Sequence, residues 1–271
     1  PFSEDFADIV VAQIEELGFE SYINEAPYLK AYIPVEQFSE RNLKLLLSGI
    51  DRDLFELSYT TNFIKEQNWN AVWEASFEPI VRGKCTVKAH FHKGLPRTKY
   101  TITITPKMAF GTGHHQTTSL MMEVMQKEEK FIRDHKVLDM GCGTGILAIL
   151  AAKMKSATPV HAIDIDPTAV FSVRENAWKN RVHEKIDSRC GDASLIQAAK
   201  YDIILANINR NILLQDMATY TRGLLPGGVL VISGFYTQDL QMLTEEASRC
   251  GLEYEYHLEK ENWVAAKFTK K

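Results

Sequence analysis

The chain lacks a long hydrophobic run. Its longest uninterrupted apolar stretch, Ile146 to Ala152, is far shorter than the roughly 20 residues that a helix needs to cross a bilayer. The start of the chain also lacks the basic and then apolar segments of a secretory signal. We therefore expect a protein that has no membrane role and works in the cytoplasm.

Cysteine is scarce as well, which limits the kinds of site that the chain can build. The four cysteines are scattered and form no C-x-x-C pair, so the sequence predicts neither a disulfide framework nor a zinc knuckle. His90 and His92 lie near Cys85, but a fourth candidate ligand is lacking. We predict reduced thiols and no bound metal.

Positive charge is not in excess, because 31 Lys and Arg stand against 35 Asp and Glu and the net charge is −4. This balance argues against a protein that wraps nucleic acid. Residues 1–60 hold 12 acidic and 4 basic side chains, net −8, whereas the remaining 211 residues hold 23 acidic and 27 basic ones, net +4. This division predicts two modules. The acid-free basic stretch at 80–107 is interpreted as a solvated strand face.

The apolar periodicity of residues 1–60 predicts the order α-β-β-α-β. Helices are expected at 3–17 and 36–48, and strands at 19–24, 28–33 and 55–59. One strand in front would complete a split β-α-β-β-α-β module. Because the chain begins at Pro1 without a methionine, we expect that such a strand is missing from it.

The rest of the chain, residues 81–271, reads as one larger domain behind a linker at 61–80. In the linker, Trp69, Trp73 and Phe77 recur at four-residue spacing and predict a short helix that docks on a domain.

Within the larger domain, segments 85–92 and 99–105 alternate like the strands of a hairpin. From residue 136 onward strand and helix patterns alternate, which predicts a doubly wound α/β fold with a parallel sheet and helices on both faces.

A glycine-rich turn follows the first of these strands, at 137–140, and precedes a helical pattern at 146–154. Its glycines, Gly141 and Gly143 among them, let the backbone pass close to a ligand, and the amides at the helix start are expected to donate to it. A dinucleotide fingerprint would need glycine at position 146, where the chain has isoleucine. The turn therefore predicts a nucleotide-type ligand without a pyrophosphate.

Polar side chains end the following strands. Asp164 follows strand 160–163, where a doubly wound sheet places an acid that accepts from ribose hydroxyls. Asp166, just before a proline, is interpreted as a helix cap, and Asp139 suits a structural and a ligand-facing role equally. Asn207 ends the next strand. An asparagine there often caps a helix, but the convergence of three strand ends makes it a candidate site residue.

Together, Gly141–Gly145, Asp164 and the Pro-Gly-Gly turn at 226–228 resemble the class I methyltransferases that use S-adenosylmethionine. The decapeptide Ala-Phe-Gly-Thr-Gly-His-His-Gln-Thr-Thr at 109–118 and Ala-Asn-Ile at 206–208 resemble, more specifically, the bacterial family that methylates large-subunit ribosomal protein eleven. In that family a small ferredoxin-like amino-terminal domain binds the ribosomal protein.

The resemblance implies a doubly wound, mostly parallel seven-stranded sheet with S-adenosylmethionine as cofactor. It implies that the cofactor is bound by Thr118, Gly141, Gly143, Asp164 and Asn207. It also implies methyl transfer to lysine ε-amines and to the N-terminal α-amine of the ribosomal protein. The acidic first 60 residues suit a basic protein partner, so we expect no direct nucleic-acid binding, and we expect a monomer.

The chemistry of such a transfer needs neither a nucleophilic triad nor a metal. Asn207 can accept a hydrogen bond from the acceptor amine and orient its lone pair, and the loop at 110–115 can close over the cofactor. His114 and His115 invite a general-base interpretation, but a structural hydrogen bond is favoured.

Two alternatives stay open. The acceptor can be another protein or RNA amine, although the paired glutamates of arginine enzymes and the Asn-Pro-Pro-Tyr motif of amide and nucleobase enzymes are lacking; Asn207-Ile208-Asn209-Arg210 stands in its place. The chain can also be a non-catalytic ribosome-assembly adaptor that keeps the fold. Binding of S-adenosylmethionine would favour a methyltransferase, and failure to bind it would favour the adaptor.

Overall fold

The computed structural model describes residues 4–25, 27–49, 58–64, 77–105, 114–198 and 200–271. The chain divides into two compact units, residues 1–67 and residues 68–271. The described helices include none that is long and apolar enough to cross a membrane.

The first unit has the order α-β-β-α in its described part. Its elements are α1 (Glu4–Ile14), β1 (Ser21–Glu25), β2 (Tyr28–Tyr32) and α2 (Glu40–Ser48). β1 and β2 pair antiparallel, and Val10, Ile14 and Leu43 form the centre of a small core.

Two local signals explain where the helical segments of this unit stop and start. Gly18 ends the first one in the left-handed conformation, at φ 90°, as predicted. The second helix was expected from residue 36 but begins at Glu40, because the side chain of Ser39 accepts from the Asn42 amide and caps it there. The predicted strand at 55–59 and the linker helix lie largely outside the described residues, so the ferredoxin-like assignment stays a prediction.

The second unit alternates strands and helices along most of its length. Its strands are β3 (Ile80–Arg82), β4 (Cys85–Ala89), β5 (Tyr100–Ile104), β6 (Val137–Met140), β7 (Val160–Asp164), β8 (Ile186–Cys190), β9 (Tyr201–Asn207), β10 (Leu224–Tyr236), β11 (Leu252–Lys260) and β12 (Trp263–Lys270). Its helices are α3 (Gln116–Lys127), α4 (Glu129–Ile132), α5 (Ile146–Lys153), α6 (Pro167–Lys179), α7 (Arg210–Gly223) and α8 (Leu240–Arg249).

A seven-stranded sheet in the order β11-β12-β10-β9-β6-β7-β8 organises this unit. The five neighbouring strands β10, β9, β6, β7 and β8 run parallel. At one edge, β12 pairs antiparallel with β10, and β11 pairs antiparallel with β12. The predicted α/β class with a doubly wound, mostly parallel sheet is confirmed. The strand order reverses at β6, which lies between β9 and β7, and ligands of such sheets bind at the carboxyl ends beside a reversal of this kind.

The prediction of a hairpin from segments 85–92 and 99–105 is wrong. β4 and β5 pair parallel, with Cys85 opposite Tyr100, and the antiparallel partner of β4 is the preceding strand β3. Alternating burial reports that a strand has two different faces but carries no information on strand direction. The tight turn at Gly83, with φ 55°, makes β3 and β4 the hairpin instead.

Apolar side chains cover both faces of the large sheet. Along β9, Ile203 and Leu205 belong to one buried cluster, and Ile204 and Ala206 belong to another. This alternation places one cluster on each face. Helix α5 is buried along nearly its whole length, which explains why its sequence is apolar on every side.

Candidate functional site

A pocket lies where the carboxyl ends of β6 and β9 meet the first turns of two helices. Its lining residues are Thr118, Gly141, Cys142, Gly143, Ile146, Leu147 and Asn207. Four of the five residues predicted to bind the cofactor, Thr118, Gly141, Gly143 and Asn207, are therefore brought together. The fifth, Asp164, joins them through a hydrogen bond, because the Gly143 amide donates to its Oδ2 at 2.8 Å.

Gly141 is required at its position for two reasons. Its φ is 70°, and a Cβ atom there would lie 2.2 Å from Cγ2 of Ile208. Any side chain would therefore be both strained and in collision with the residue that follows Asn207. No sequence motif marks Ile208 as a site residue, because its role follows from a contact between strand ends that are far apart in the chain.

The amides of the turn are occupied within the protein. Gly141 and Cys142 both donate to the carbonyl oxygen of Ile163, at 2.8 and 3.1 Å, and Gly143 donates to Asp164. These three amides precede the helix start, whose amides were expected to donate to the ligand, and that expectation stays a prediction. Gly141 and Gly143 line the pocket, and the amides hold β6 and β7 together at their ends.

Asp164 is held in place by two backbone amides. Besides Gly143, Asp166 donates to it, from its amide to Oδ1 at 3.0 Å. Each carboxylate oxygen retains acceptor capacity after one such bond, as recognition of ribose hydroxyls requires. Asp166 itself caps α6 by accepting from the Thr168 amide, with Pro167 as the first helical residue, so its predicted role is confirmed.

Asn207 and Thr118 form a direct pair. Nδ2 of Asn207 donates to Oγ1 of Thr118 at 3.3 Å, and both side chains are buried. Oδ1 of Asn207 is buried as well and has no hydrogen-bond partner among the described residues. The alternative role as a helix cap is excluded, since the side chain of Asn209 caps α7 by accepting from Ile212. A buried acceptor without a partner is costly and points to a bound donor.

One carboxylate oxygen of Asp139 accepts a structural hydrogen bond, and the other has no described partner. Its Oδ2 accepts from the Ala148 amide of α5 at 3.0 Å, whereas Oδ1 is buried and has no partner among the described residues. Burial raises the pKa of Asp139 to about 7, and the charge of Asp164 adds to the effect. The carboxyl thus orients the glycine turn against α5 and sits close to the site.

Both histidines of the decapeptide make structural hydrogen bonds. Nδ1 of His115 accepts from the Thr117 amide and so caps α3, which carries Thr118. Nε2 of His114 donates to the carbonyl oxygen of Glu78 at 3.0 Å. These contacts agree with the structural role favoured over general-base catalysis. Residues 109–113 of the decapeptide lie outside the described part of the chain.

The histidines near Cys85 are engaged with the backbone or with neighbouring rings. Nδ1 of His92 accepts from the Ala89 amide at 3.0 Å, and burial raises the pKa of the Cys85 thiol to about 12. In the part of the chain that the structure describes, no three His, Cys, Asp or Glu side chains are grouped to hold a metal ion.

A roomier cavity of about 300 Å³ lies between α6 and β8. Trp178 stacks on His183 beside it, with ring centroids 3.6 Å apart. None of the predicted cofactor residues lines it. The cavity is therefore separate from the Asn207 pocket.

Comparison with known proteins agrees with this geometry. The model of the family described as "Ribosomal protein L11 methyltransferase (PrmA)" matches residues 6–271. The chain belongs to this family. A relative named ribosomal protein L11 methyltransferase from Phocaeicola vulgatus is 43% identical over 274 residues, covering 100% of this chain and 96% of the relative. One from Porphyromonas gingivalis is 44% identical, covering 97% and 90%.

A solved structure supports membership of the family at the level of the fold. The ribosomal protein L11 methylase of Lactobacillus delbrueckii subsp. bulgaricus superposes with a TM-score of 0.65 and 25% identity, covering 72% of this chain and 100% of that one. The resemblance stated from the decapeptide and the glycine turn is confirmed.

Proposed function

We propose that the chain transfers methyl groups from S-adenosylmethionine to amines of ribosomal protein L11, namely lysine ε-amines and the N-terminal α-amine. The observation that carries this proposal is the buried Asn207 side chain, whose Nδ2 is bonded to Thr118 while its Oδ1 has no described partner in a glycine-lined pocket. Family membership supports the donor and the substrate.

The residues present suit S-adenosylmethionine. Asp164 has acceptor capacity left for the ribose hydroxyls, and Gly141 and Gly143 line the pocket beside β6. Thr118 and Asn207 line the same pocket. When bound, S-adenosylmethionine supplies a methyl group that its sulfonium already activates.

The contribution of the protein is then to position an amine and to favour its uncharged form, with the proton released to solvent. An ammonium with a pKa near 10.4 loses its proton at neutral pH at a cost of about 4 kcal/mol. The apolar walls of the pocket, Ile146 and Leu147, disfavour the charged form and lower part of that cost. Oδ1 of Asn207 accepts one remaining N–H bond and directs the lone pair, because Thr118 fixes the orientation of the amide.

Further parts of the proposal concern the whole protein. We assign residues 1–60 to substrate recognition, residues 61–80 to a linker and residues 81–271 to methyl transfer. The net charge of −8 on the first 60 residues complements a basic ribosomal protein and would repel RNA. We propose that the protein acts as a monomer in the cytoplasm and does not itself bind nucleic acid.

The direct test is incubation with S-adenosylmethionine labelled in its methyl group and with separated ribosomal proteins, followed by peptide mapping. Label is expected on amines of L11. Label on RNA or on another protein would overturn the substrate, and failure to bind the cofactor in calorimetry would favour an adaptor.

Variants of the amide pair test the residue roles. We expect Asn207→Leu to lower the transfer rate by about 10- to 100-fold, because removal of one buried hydrogen-bonding group is worth about 1–3 kcal/mol. Thr118→Val should show a smaller loss and Thr118→Ser close to none, since serine keeps the hydroxyl that accepts from Nδ2. Equal rates in Thr118→Val and Thr118→Ser would contradict the positioning role.

A further inference from the structure

A cluster of aromatic side chains, here called the aromatic wall, stands at the same edge of the large sheet as the Asn207 pocket. It consists of Tyr236 at the end of β10, Trp263 at the start of β12 and His115 before α3. The ring centroids of Tyr236 and Trp263 are 4.0 Å apart, and His115 meets Trp263 edge-on at 4.6 Å. None of these three residues is among those that line the Asn207 pocket.

The backbone places the aromatic wall beside Asn207. Ser233 of β10 pairs with Asn207, three residues before Tyr236. Gly234 passes so close to the next residue after Asn207 that a Cβ atom there would lie 2.2 Å from the carbonyl oxygen of Ile208. On the other side, His115 caps the helix whose first turn carries Thr118. The wall therefore borders both members of the amide pair.

Acceptor oxygens accompany the rings. Nε2 of Gln116 donates to the exposed carboxylate of Glu261 at 2.8 Å, whereas its Oε1 is buried and has no partner among the described residues. The basic side chain bonded near Tyr236, Arg210, is paired with Asp239 at 2.7 Å. Because the rings of Tyr236 and Trp263 cover one another's facing sides, the combination offers the exposed outer face of Tyr236, one carboxylate and one amide oxygen without a described partner.

Such a combination suits an alkylammonium ion. A cation over the outer face of Tyr236 is attracted by the quadrupole of the ring, and methylated ammonium ions, which donate few or no hydrogen bonds, gain most from this contact. Tyr236 keeps 44% of its surface exposed, so its ring is reachable from solvent.

We infer that Tyr236, with Trp263 stacked on it and with Glu261 and Gln116 beside them, binds the acceptor amine in its cationic state between transfers, whereas Asn207 positions the uncharged amine for each transfer. His115 holds the Trp263 ring in place. This inference rests on the proposed function, and it names the part of the site that determines how many methyl groups one amine receives. An unmodified ammonium uses Gln116 and Glu261 as hydrogen-bond acceptors, and a methylated one relies on the rings.

The first experiment uses tetramethylammonium chloride as the probe and the full chain as the protein. We expect a saturable shift of the Trp263 indole resonance in NMR spectra, assigned with Trp263→Phe, and none with tert-butanol or with potassium chloride at equal concentration. Tyr236→Leu and Glu261→Gln should each weaken the binding of the probe by about two- to fivefold. Tyr236 and Glu261 are both exposed, so we expect these two variants to fold. They therefore test the proposal even where a Trp263→Leu variant fails to fold.

The matched control is Trp178→Leu, which removes an exposed tryptophan on α6 and should leave the effect of the probe unchanged. The second experiment counts methyl groups on L11 by mass spectrometry. Tyr236→Leu should shift the products toward fewer methyl groups per amine while the affinity for S-adenosylmethionine in calorimetry stays as in the parent chain.

The outcomes separate the two proposals. The role of the aromatic wall would be overturned by either of two results in a chain that binds the cofactor and methylates L11. One is that the probe does not shift the Trp263 resonance, and the other is that Tyr236→Leu leaves the product distribution unchanged. Both results would leave the proposed function standing. Loss of cofactor binding in the parent chain would count against the proposed function alone, because the response to the probe does not depend on the cofactor.

Discussion

At the scale of single residues, two asparagines near one strand end have separate tasks. Asn209 caps α7, and this leaves Asn207 free to pair with Thr118 and to present an acceptor in the pocket. The chain order Asn-Ile-Asn does not reveal which of the two is the cap. The intervening Ile208 has a task too, since it fills the space next to Gly141 that a Cβ atom would occupy.

Gly141→Ala is the substitution that tests this contact. The new Cβ atom would collide with Ile208, and we expect unfolding to become easier by about 1–3 kcal/mol and cofactor affinity to fall, because Ile208 adjoins Asn207. Calorimetric binding and urea unfolding measure the two effects.

Gly227→Ala is the matched control for that substitution. Gly227 has nearly the same φ, 74°, with nothing within 4 Å of an added Cβ atom, so it shows the backbone strain without the collision. If Gly141→Ala behaves like this control, or if Ile208→Ala in the same chain restores nothing, the collision is not the cause.

The buried carboxyl of Asp139 gives a pH-dependent prediction. Its pKa of about 7 in the folded protein lies above the ordinary value of 3.8, so the folded state holds its proton over a range in which the unfolded chain has lost it. Stability from this group therefore falls as pH rises from about 4 to about 7. Asp139→Asn should remove that fall, and its advantage over the parent chain should grow by on the order of 4 kcal/mol across the window.

Urea unfolding at the two ends of the window is the measurement. Asp134→Asn, at an exposed site with a left-handed backbone that asparagine accepts, is the control and should show no such trend. A constant difference between Asp139→Asn and the parent chain would mean that the carboxyl is ionised in the folded protein.

At the scale of elements, α6 completes the edge of the small sheet with side chains. Asn180 exchanges two hydrogen bonds with the backbone of Thr103 on β5, at 2.9 Å from the amide and 2.6 Å to the carbonyl oxygen. One turn earlier, Asn176 accepts from the Thr105 amide and donates to the carbonyl oxygen of Thr144 in the glycine turn. Two buried amides thus tie β5 and the glycine turn to one helix.

Asn180→Ala should therefore destabilise the protein by about 1–3 kcal/mol, because both backbone groups of Thr103 lose a partner. Thermal unfolding measures the loss, and faster hydrogen exchange at the Thr103 amide would localise it. Asn211→Ala, at an exposed position of α7, brings the same gain in helix propensity without that loss. Equal stability of the two variants would show that these hydrogen bonds do not contribute to the stability of the protein.

Strands β9 and β5 and helix α2 show what sequence patterns can and cannot predict about an element. Strand β9 ends at Asn207, as predicted, because the apolar run at 203–206 is followed almost at once by the start of a helix. Helix α2 starts later than predicted because capping by Ser39 outweighs the apolar period, and the direction of β5 was predicted wrongly because the signal is the same for both directions.

At the scale of the whole molecule, the division of charge predicts a division of labour. Deleting residues 1–67 should leave cofactor affinity intact and abolish transfer to whole L11, because the two units have cores of their own. Calorimetry and the labelled transfer assay check the two halves of this prediction. Retained transfer to the whole substrate would show that the first unit is dispensable.

A gentler variant keeps both units. Replacing Glu15, Glu16 and Glu20 by glutamine should raise KM for L11 and weaken its dependence on salt, since exposed opposite charges steer encounter. The same change at Glu184, Glu245 and Glu253 of the second unit is the matched control and should alter KM little.

The sequence by itself determined the class of fold, the family and the residue types at the site, because apolar periods and short motifs are local properties of the chain. Only the tertiary structure decided that Thr118 orients Asn207, that Ile208 makes Gly141 necessary and that Tyr236 and Trp263 stack on one another. These contacts join residues from 27 to 89 positions apart in the chain. Such contacts depend on the pairing and order of the strands, which local sequence patterns do not encode.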